Sequence, residues 1–302
     1  MNQDKRIFAL GFFDGVHLGH QALLRECRAL ANSLSCETAA ITFDRHPKSL
    51  FLPSNPTLIS TKEERKKLLM HYGIDRVSSF PVTEEFMGKS WRSFLDELME
   101  QGAAGFVCGD DFRFGAKGEG TAEKLQEYCR EKEIPCVIVA QQELDGIRIS
   151  STHIRKLIES GKMESATRFL GHPYFLTGTV VHGHQLGRKL GIPTANLLLP
   201  EGLAIPKFGV YACRALIDDK KYLAVTNIGT RPTVSGQGIT VEPWILDFEG
   251  DLYGRKITLE FHYFLRAEMK FPDLTAMQSE IYCNAEQTRV YFKEQEAPHG
   301  ES

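Results

Sequence analysis

An α/β unit followed by an antiparallel β unit is the fold class this 302-residue chain predicts, and three observations predict it. Over the first 150 residues, short apolar runs alternate with amphipathic stretches. That βαβα order builds a parallel sheet with helices on both faces. After Gly171 the pattern changes to β-branched and aromatic runs separated by short Gly/Pro/Asp turns, as antiparallel strands require. The length allows two such units at roughly 150 residues each.

In the first unit the strands are Ile7–Leu10, Ala39–Phe43, Gly105–Cys108 and Ile134–Ala140. They are apolar because a parallel sheet covered on both sides leaves neither face for water. Gln21–Leu34, Thr61–Tyr72, Ser90–Gln101 and Thr121–Lys132 are the helices between them. Thr61 stands at capping-box spacing from Glu64, and Gly73 is placed to end that helix. Ser150–Leu170 reads as two short helices broken at Gly161. In the second unit the strands are Leu176–His182, Val210–Asp218, Tyr222–Asn227, Ile239–Phe248 and Lys256–Phe264. Closing them into a barrel removes the exposed edges. A helix over Leu274–Phe292 covers the barrel, and the polar residues 294–302 form a tail. The boundary falls near Gly171–Phe175, giving units 1–171 and 172–293.

Hydrophobic residues at 42% and charged residues at 25% suit two buried cores without disulfide or metal staples. A net charge of −3 excludes a global basic footprint for nucleic acid. No apolar run reaches the roughly 20 residues needed to span a bilayer, and the start MNQDKRIF lacks a signal-peptide apolar core. The seven cysteines include no C-x-x-C pair and read as reduced thiols of a cytoplasmic protein.

Chemistry concentrates in two stretches. The first strand runs into Gly11-Phe12-Phe13-Asp14-Gly15-Val16-His17-Leu18-Gly19-His20, and a helix follows. Gly11, Gly15 and Gly19 let the backbone approach a ligand closely. The free N–H groups of the helix start suit an anion. His17 and His20, three apart at the helix entry, can point the same way and donate to phosphate oxygens that gain charge during transfer. A helix cap plus a surface histidine is the competing structural role. The strand before, the helix after and Asp14 inside the loop favour the anion site. Gly109-Asp110-Asp111-Phe112-Arg113-Phe114-Gly115 follows another strand end, where open α/β sheets bind ligands. Ser151 and Thr152 sit at a helix start, where such residues are first of all caps. Arg155, on the next turn, has a guanidinium that matches phosphate geometry.

The second stretch is His182–Asn196, with glycines at 183, 187 and 191. It is not a P-loop, because G-x-x-x-x-G-K-[ST] is absent. The same ingredients recur in another order. Gly183, Gly187 and Gly191 allow close backbone approach, and Arg188 and Lys189 carry charge. Thr194 and Asn196 offer oxygens to Mg²⁺, which takes few protein oxygens beside phosphates and water. A glycine-rich hairpin loop is the plainer alternative. Phosphoryl transfer to a hydroxyl also needs a proton acceptor. Glu242, in the half-buried run Thr240–Trp244, is the candidate, with an exposed strand glutamate as the alternative. Trp244, Phe248 and Tyr253 read as core or rim aromatics.

From about Phe8 to Tyr291 these segments, in this order, resemble the bacterial bifunctional riboflavin kinase/FAD synthetase family, whose first half shares its signature with the H-x-G-H nucleotidyltransferases. Further segments carrying the resemblance are Thr42–Pro47, Phe208–Ala212, Asn227–Thr233, Leu246–Phe248 with Asp251–Gly254, and Leu265–Phe271. The resemblance implies a Rossmann-like nucleotidyltransferase domain followed by a riboflavin kinase-like barrel. It implies that ATP phosphorylates riboflavin to FMN, and that a second ATP adenylylates FMN to FAD with release of pyrophosphate. Glu242 would then be the base, with Thr194 and Asn196 on Mg²⁺ and Gly183, Gly187, Lys189 and Gly191 around the kinase ATP. His17 and His20 would hold the phosphates of the other ATP, with Gly11, Phe12, Asp14, Gly19 and Asp111 around them. Ser151, Thr152 and Arg155 would face the transferring group, and Arg266 and Glu268 the flavin. The implied partners are riboflavin, FMN and ATP, with neither nucleic acid nor membrane; the sequence assigns no oligomeric state. Arg45 stands where the family often has Pro, His153 where it usually has Arg, and Pro243 directly after the base implies a strand edge or bulge. Two alternatives remain: one activity only, which intact motifs in both halves oppose, or a flavin- or nucleotide-binding regulator, which has no need of Glu242 beside a Mg²⁺ loop.

Overall fold

β1 (Arg6–Leu10) alternates its side chains between two helical layers, and that alternation sets the architecture of the first half. Ile7 and Ala9 face one core, while Phe8 and Leu10 face the other. The computed structural model describes residues 5–52, 55–182, 191–233 and 236–296. The chain divides into two compact units, Met1–Ile154 and Arg155–Ser302.

In the first unit β1 is followed by α1 (Leu18–Leu34), β2 (Glu37–Phe43), α2 (Lys62–His71), β3 (Arg76–Phe80) and the single turn α3 (Glu84–Met87). Then come α4 (Trp91–Glu100), β4 (Ala103–Gly109), α5 (Ala122–Glu131) and β5 (Cys136–Val139). A small hairpin, β6 (Glu143–Leu144) and β7 (Ile147–Arg148), precedes α6 (Ser151–Glu159). All pairings in the five-stranded sheet are parallel, in the order β3-β2-β1-β4-β5. The order reverses between β1 and β4, and such a switch point opens a crevice beyond the carboxyl ends of the strands. Leu23, Leu24 and Leu69 of α1 and α2 cover one face; Phe94, Leu98, Leu125 and Tyr128 of α4 and α5 cover the other. Burying each such side chain is worth about 1.5–3 kcal/mol. The caps fall where local chemistry puts them. Thr61 and Glu64 form a reciprocal capping box on α2, and Ser90 and Thr121 cap α4 and α5. β3, α3 and the hairpin go beyond the expected elements.

After α6 the second unit continues with α7 (Met163–Leu170), Gly161 making the break at φ +78°. The barrel strands are β8 (Tyr174–Val181), β9 (Asn196–Leu198), β10 (Gly209–Ile217), β11 (Lys220–Thr233), β12 (Gly236–Ile245) and β13 (Lys256–Arg266). Their order is β12-β11-β10-β13-β8-β9, and the pairings are antiparallel. A bridge between Thr194 and Trp244 and a 2.9 Å bond from the Ala195 N–H to the Pro243 carbonyl bring the two ends together, so the sheet is nearly closed. Pro243 therefore sits on the last strand of the sheet and contributes a carbonyl to the seam, where its missing N–H is least costly. β9 was not expected, and β11 extends well past Asn227. α8 (Leu274–Glu296) packs on β10 and β11. It continues beyond Phe292 to Glu296, so residues 294–296 of the expected tail are helical.

Candidate functional site

β1 ends at Leu10, and the next seven residues reverse direction under strain. Phe13 (φ 59°), Gly15 (φ 74°) and Val16 (φ 41°) all take left-handed backbone angles, which non-glycine residues hold only where the surroundings enforce them. The enforcement is visible. Asp14 is buried, and its Oδ1 accepts the N–H groups of Ile59 (2.9 Å) and Ser60 (3.2 Å). Ser60 Oγ in turn accepts the Gly15 N–H at 3.0 Å. A Cβ on Gly15 would stand 2.6 Å from Ile59 Cγ2. The loop is thus stitched to the chain entering α2.

His17 closes the loop and opens α1 as its N-cap, with Nδ1 accepting the His20 N–H at 3.3 Å. With Nδ1 used as acceptor, a neutral His17 carries its proton on Nε2. The rings of His17 and His20 stack at 3.6 Å between centres and 13° between planes. His20 keeps part of its surface open while its Nδ1 is buried. Burial first, then His17 and Arg65, hold the His20 imidazolium well below the ordinary range of 6.5. His20 therefore stands neutral at physiological pH and donates as an imidazole.

The crevice at the switch point is a cavity of about 770 Å³, a volume suited to a nucleotide-sized ligand. Gly11, Phe12, His17, Gly19, His20, Asp111 and Ser151 all line it. Asp14 lies behind the wall as the loop's tether. Thr152 is exposed on α6 and outside the lining. Ser150 caps α6 by accepting the His153 N–H at 3.2 Å, which leaves Ser151 to face the cavity and donate to the Asp14 carbonyl at 3.1 Å. Arg155 is one turn further along α6, where the second unit begins. Arg45 turns its guanidinium to the Val82 carbonyl at 2.9 Å.

The lining also holds groups that sequence reasoning did not single out: Lys48, Phe86, Lys89, Lys117 and Arg148. Five lysine and arginine side chains face the cavity against two aspartates. Arg148 pairs with Asp111. The hairpin that delivers Arg148 had a sequence signal in Asp145-Gly146, whose angles of φ 54° and φ 71° suit a tight two-residue turn.

In the second unit, Glu242 is half-buried on β12, opposite Asn227 on β11. Continuing the Thr194–Trp244 bridge by two residues along antiparallel chains sets Asn196 opposite Glu242. With side chains alternating in strands, Thr194, Asn196 and Glu242 share one face. Gly191 lies just before them at φ 68°, beside Tyr282 of α8. Gly183, Gly187, Arg188 and Lys189 lie outside the described residues. The Glu268 carboxylate lies against Gly229 of β11 so closely that a Cβ there would collide with it, with Asn227 adjacent. Arg266 is pinned to α8 by Glu280 at 3.0 Å and Asn284 at 3.1 Å. That pairing gives Arg266 a structural task.

Two family models match the chain, one described as FAD synthetase over residues 1–153 and one as riboflavin kinase over residues 170–292. A bifunctional riboflavin kinase/FMN adenylyltransferase from Listeria monocytogenes is 34% identical over 291 residues, covering 95% of this chain and 92% of that protein. Its counterpart from Escherichia coli K12 is 33% identical, covering 96% of this chain and 94% of that protein. A crystal structure described as a macrolide-efflux protein from Streptococcus pneumoniae superposes with a TM-score of 0.87 at 31% identity, covering 96% of this chain and 95% of that one.

Proposed function

The chain belongs to the bifunctional riboflavin kinase/FMN adenylyltransferase family, and from that premise we propose how its residues divide the work. The protein phosphorylates riboflavin to FMN with ATP and adenylylates FMN to FAD, releasing pyrophosphate. We assign adenylyl transfer to residues 1–171 and riboflavin phosphorylation to residues 172–293, in the cytoplasm. The unbridged cysteines and a chain without a helix long and apolar enough to cross a membrane among the described residues support that compartment.

One observation carries the assignment of the first half: a stacked histidine pair at the N-terminus of α1, His20 of which is held neutral, facing a basic cavity at the switch point of the sheet. The triphosphate lies along the helix start, where N–H groups and imidazoles meet oxygens that gain charge as pyrophosphate leaves. The attacking FMN phosphate is already an anion, so no base is required. Positioning and charge stabilisation supply the rate. Ser151 closes the site from the side of α6, and Asp14 acts from behind by holding the loop.

In the second half Glu242 takes the proton of the riboflavin 5′-hydroxyl as the γ-phosphate is transferred. The oxygens of Thr194 and Asn196 are hard donors that would fit Mg²⁺ sharing ATP phosphates, leaving the Glu242 carboxylate to accept the proton. When bound, that ion neutralises charge on the phosphate oxygens. We assign Gly183, Gly187, Lys189 and Gly191 to binding of the kinase ATP. Glu268, lying on Gly229 beside Asn227, borders the flavin end, with Arg266 behind it.

Single-site variants test the division. Glu242→Gln lowers riboflavin phosphorylation by about 10²–10⁴-fold and leaves conversion of supplied FMN to FAD unchanged. His17→Ala with His20→Ala does the opposite, lowering FAD formation by about 10²–10³-fold per lost donor. Separation of the flavins over time reads both. A folded variant that loses both activities contradicts the assignment.

A further inference from the structure

Arg65 is a buried charge that neither reaction, as assigned above, employs. Its side chain is fully buried on the first turn of α2. The guanidinium carbon lies 4.3 Å from the centre of the Phe12 ring, and Nη2 donates to the Phe43 carbonyl at the end of β2 at 2.5 Å. Nε and Nη1 are buried with no hydrogen-bond partner. Leaving N–H groups of a cation unsatisfied inside a protein costs stability, and an apolar side chain of the same volume would serve packing better. Phe12 and Phe43 both line the cavity, so the guanidinium braces two of its walls from behind.

We propose that Arg65 is a positioning residue of the adenylyl-transfer site: it seats the Phe12 ring and the end of β2, and sets a fixed positive charge behind the histidine pair. This rests on the placement of adenylyl transfer in the cavity of the first unit. The surrounding charges fit the role. Burial lowers the pKa of the Arg65 guanidinium, Asp14 in the loop, Asp44 after β2 and Glu63 on α2 oppose that shift, and His20 on α1 lies near enough to feel its charge. Asp14 Oδ1 accepts two backbone amides, which holds that carboxylate in place near the guanidinium. An anionic phosphate chain entering the cavity meets the Arg65 charge through a medium of low dielectric, where it acts over several ångströms. Arginine suits the position better than lysine because its plane can lie on an aromatic face while one edge donates to a carbonyl.

The test uses the full chain with Arg65→Met and Arg65→Lys. Three quantities are read: kcat and KM for ATP in FMN adenylylation, riboflavin phosphorylation in the same preparation, and the ring-proton NMR titration of His20. In Arg65→Met, adenylylation kcat/KM falls roughly tenfold or more, the size expected of a misplaced wall. Riboflavin phosphorylation stays at the wild-type rate, and the His20 midpoint rises towards its ordinary value. Arg65→Lys restores the His20 midpoint, because the charge remains, but recovers only part of kcat/KM, because the seat under Phe12 is lost. Wild-type adenylylation with an unmoved His20 in Arg65→Met overturns the inference. If Arg65→Met does not fold, wild-type kcat and KM in Arg65→Lys overturn it instead. The His17→Ala/His20→Ala variant separates the two levels. If it too adenylylates FMN normally, the site assignment fails; if it is inactive while the Arg65 variants are normal, only the role of Arg65 fails.

Discussion

His17 shows how one residue can cap a helix and line a cavity at once. From sequence, capping and ligand binding compete for an H-x-G-H pair; in the structure His17 caps α1 with Nδ1 and still lines the cavity. Asp14 takes a different place: its Oδ1 accepts the Ile59 and Ser60 amides, and it holds the loop without lining the cavity. His20 leads to a prediction about pH. Its imidazolium is held well below 6.5 in the folded protein, by burial first and by His17 and Arg65 second. Between that lowered value and about 6.5 the unfolded chain binds a proton that the folded chain does not, so stability rises with pH across that window. The urea midpoint is therefore expected to fall as pH is lowered from about 7.5 to 5.5, and His20→Gln is expected to flatten that slope. Identical slopes in the two proteins would remove His20 from the account.

At the scale of elements, the segment from β1 through the strained loop into α1 is the part on which the first site depends. Gly15→Ala places a Cβ 2.6 Å from Ile59 Cγ2 at a backbone angle of φ 74°. It is expected to cost about 1–3 kcal/mol of stability and to impair FMN adenylylation while sparing riboflavin phosphorylation. An unchanged denaturation midpoint would show the loop to be less constrained than described. The elements legible in the sequence are those fixed by local chemistry. Thr61, Ser90 and Thr121 cap the helices that their positions announced, and Gly161 breaks the chain where it stands. β3 was not legible because Arg-Val-Ser-Ser-Phe is a mixed sequence on an edge strand, where burial is incomplete. β9 has only three residues and exists through pairing with β8. Arg148 and Lys117 reach the cavity through tertiary folding, which no spacing rule reports. Arg65 likewise reads in sequence as one more cation of a charged helix, and only its complete burial under Phe12 sets it apart.

For the whole molecule, the proposed separation of chemistries parallels the presence of two compact units. Each compact unit holds its own constellation: the histidine pair and basic cavity in one, Thr194, Asn196 and Glu242 in the other. The net charge of −3 gave no sign of phosphate binding. The five cations that line the first cavity are a local arrangement within an acidic whole. The most direct test of two sites acting in sequence is to incubate the full-length protein with riboflavin, Mg²⁺ and ATP labelled at either the γ- or the α-phosphate, and to resolve the flavins over time. The γ-label is expected in FMN first and later in FAD, and the α-label in FAD but never in FMN. Absence of either label from FAD, or α-label in FMN, would contradict the account.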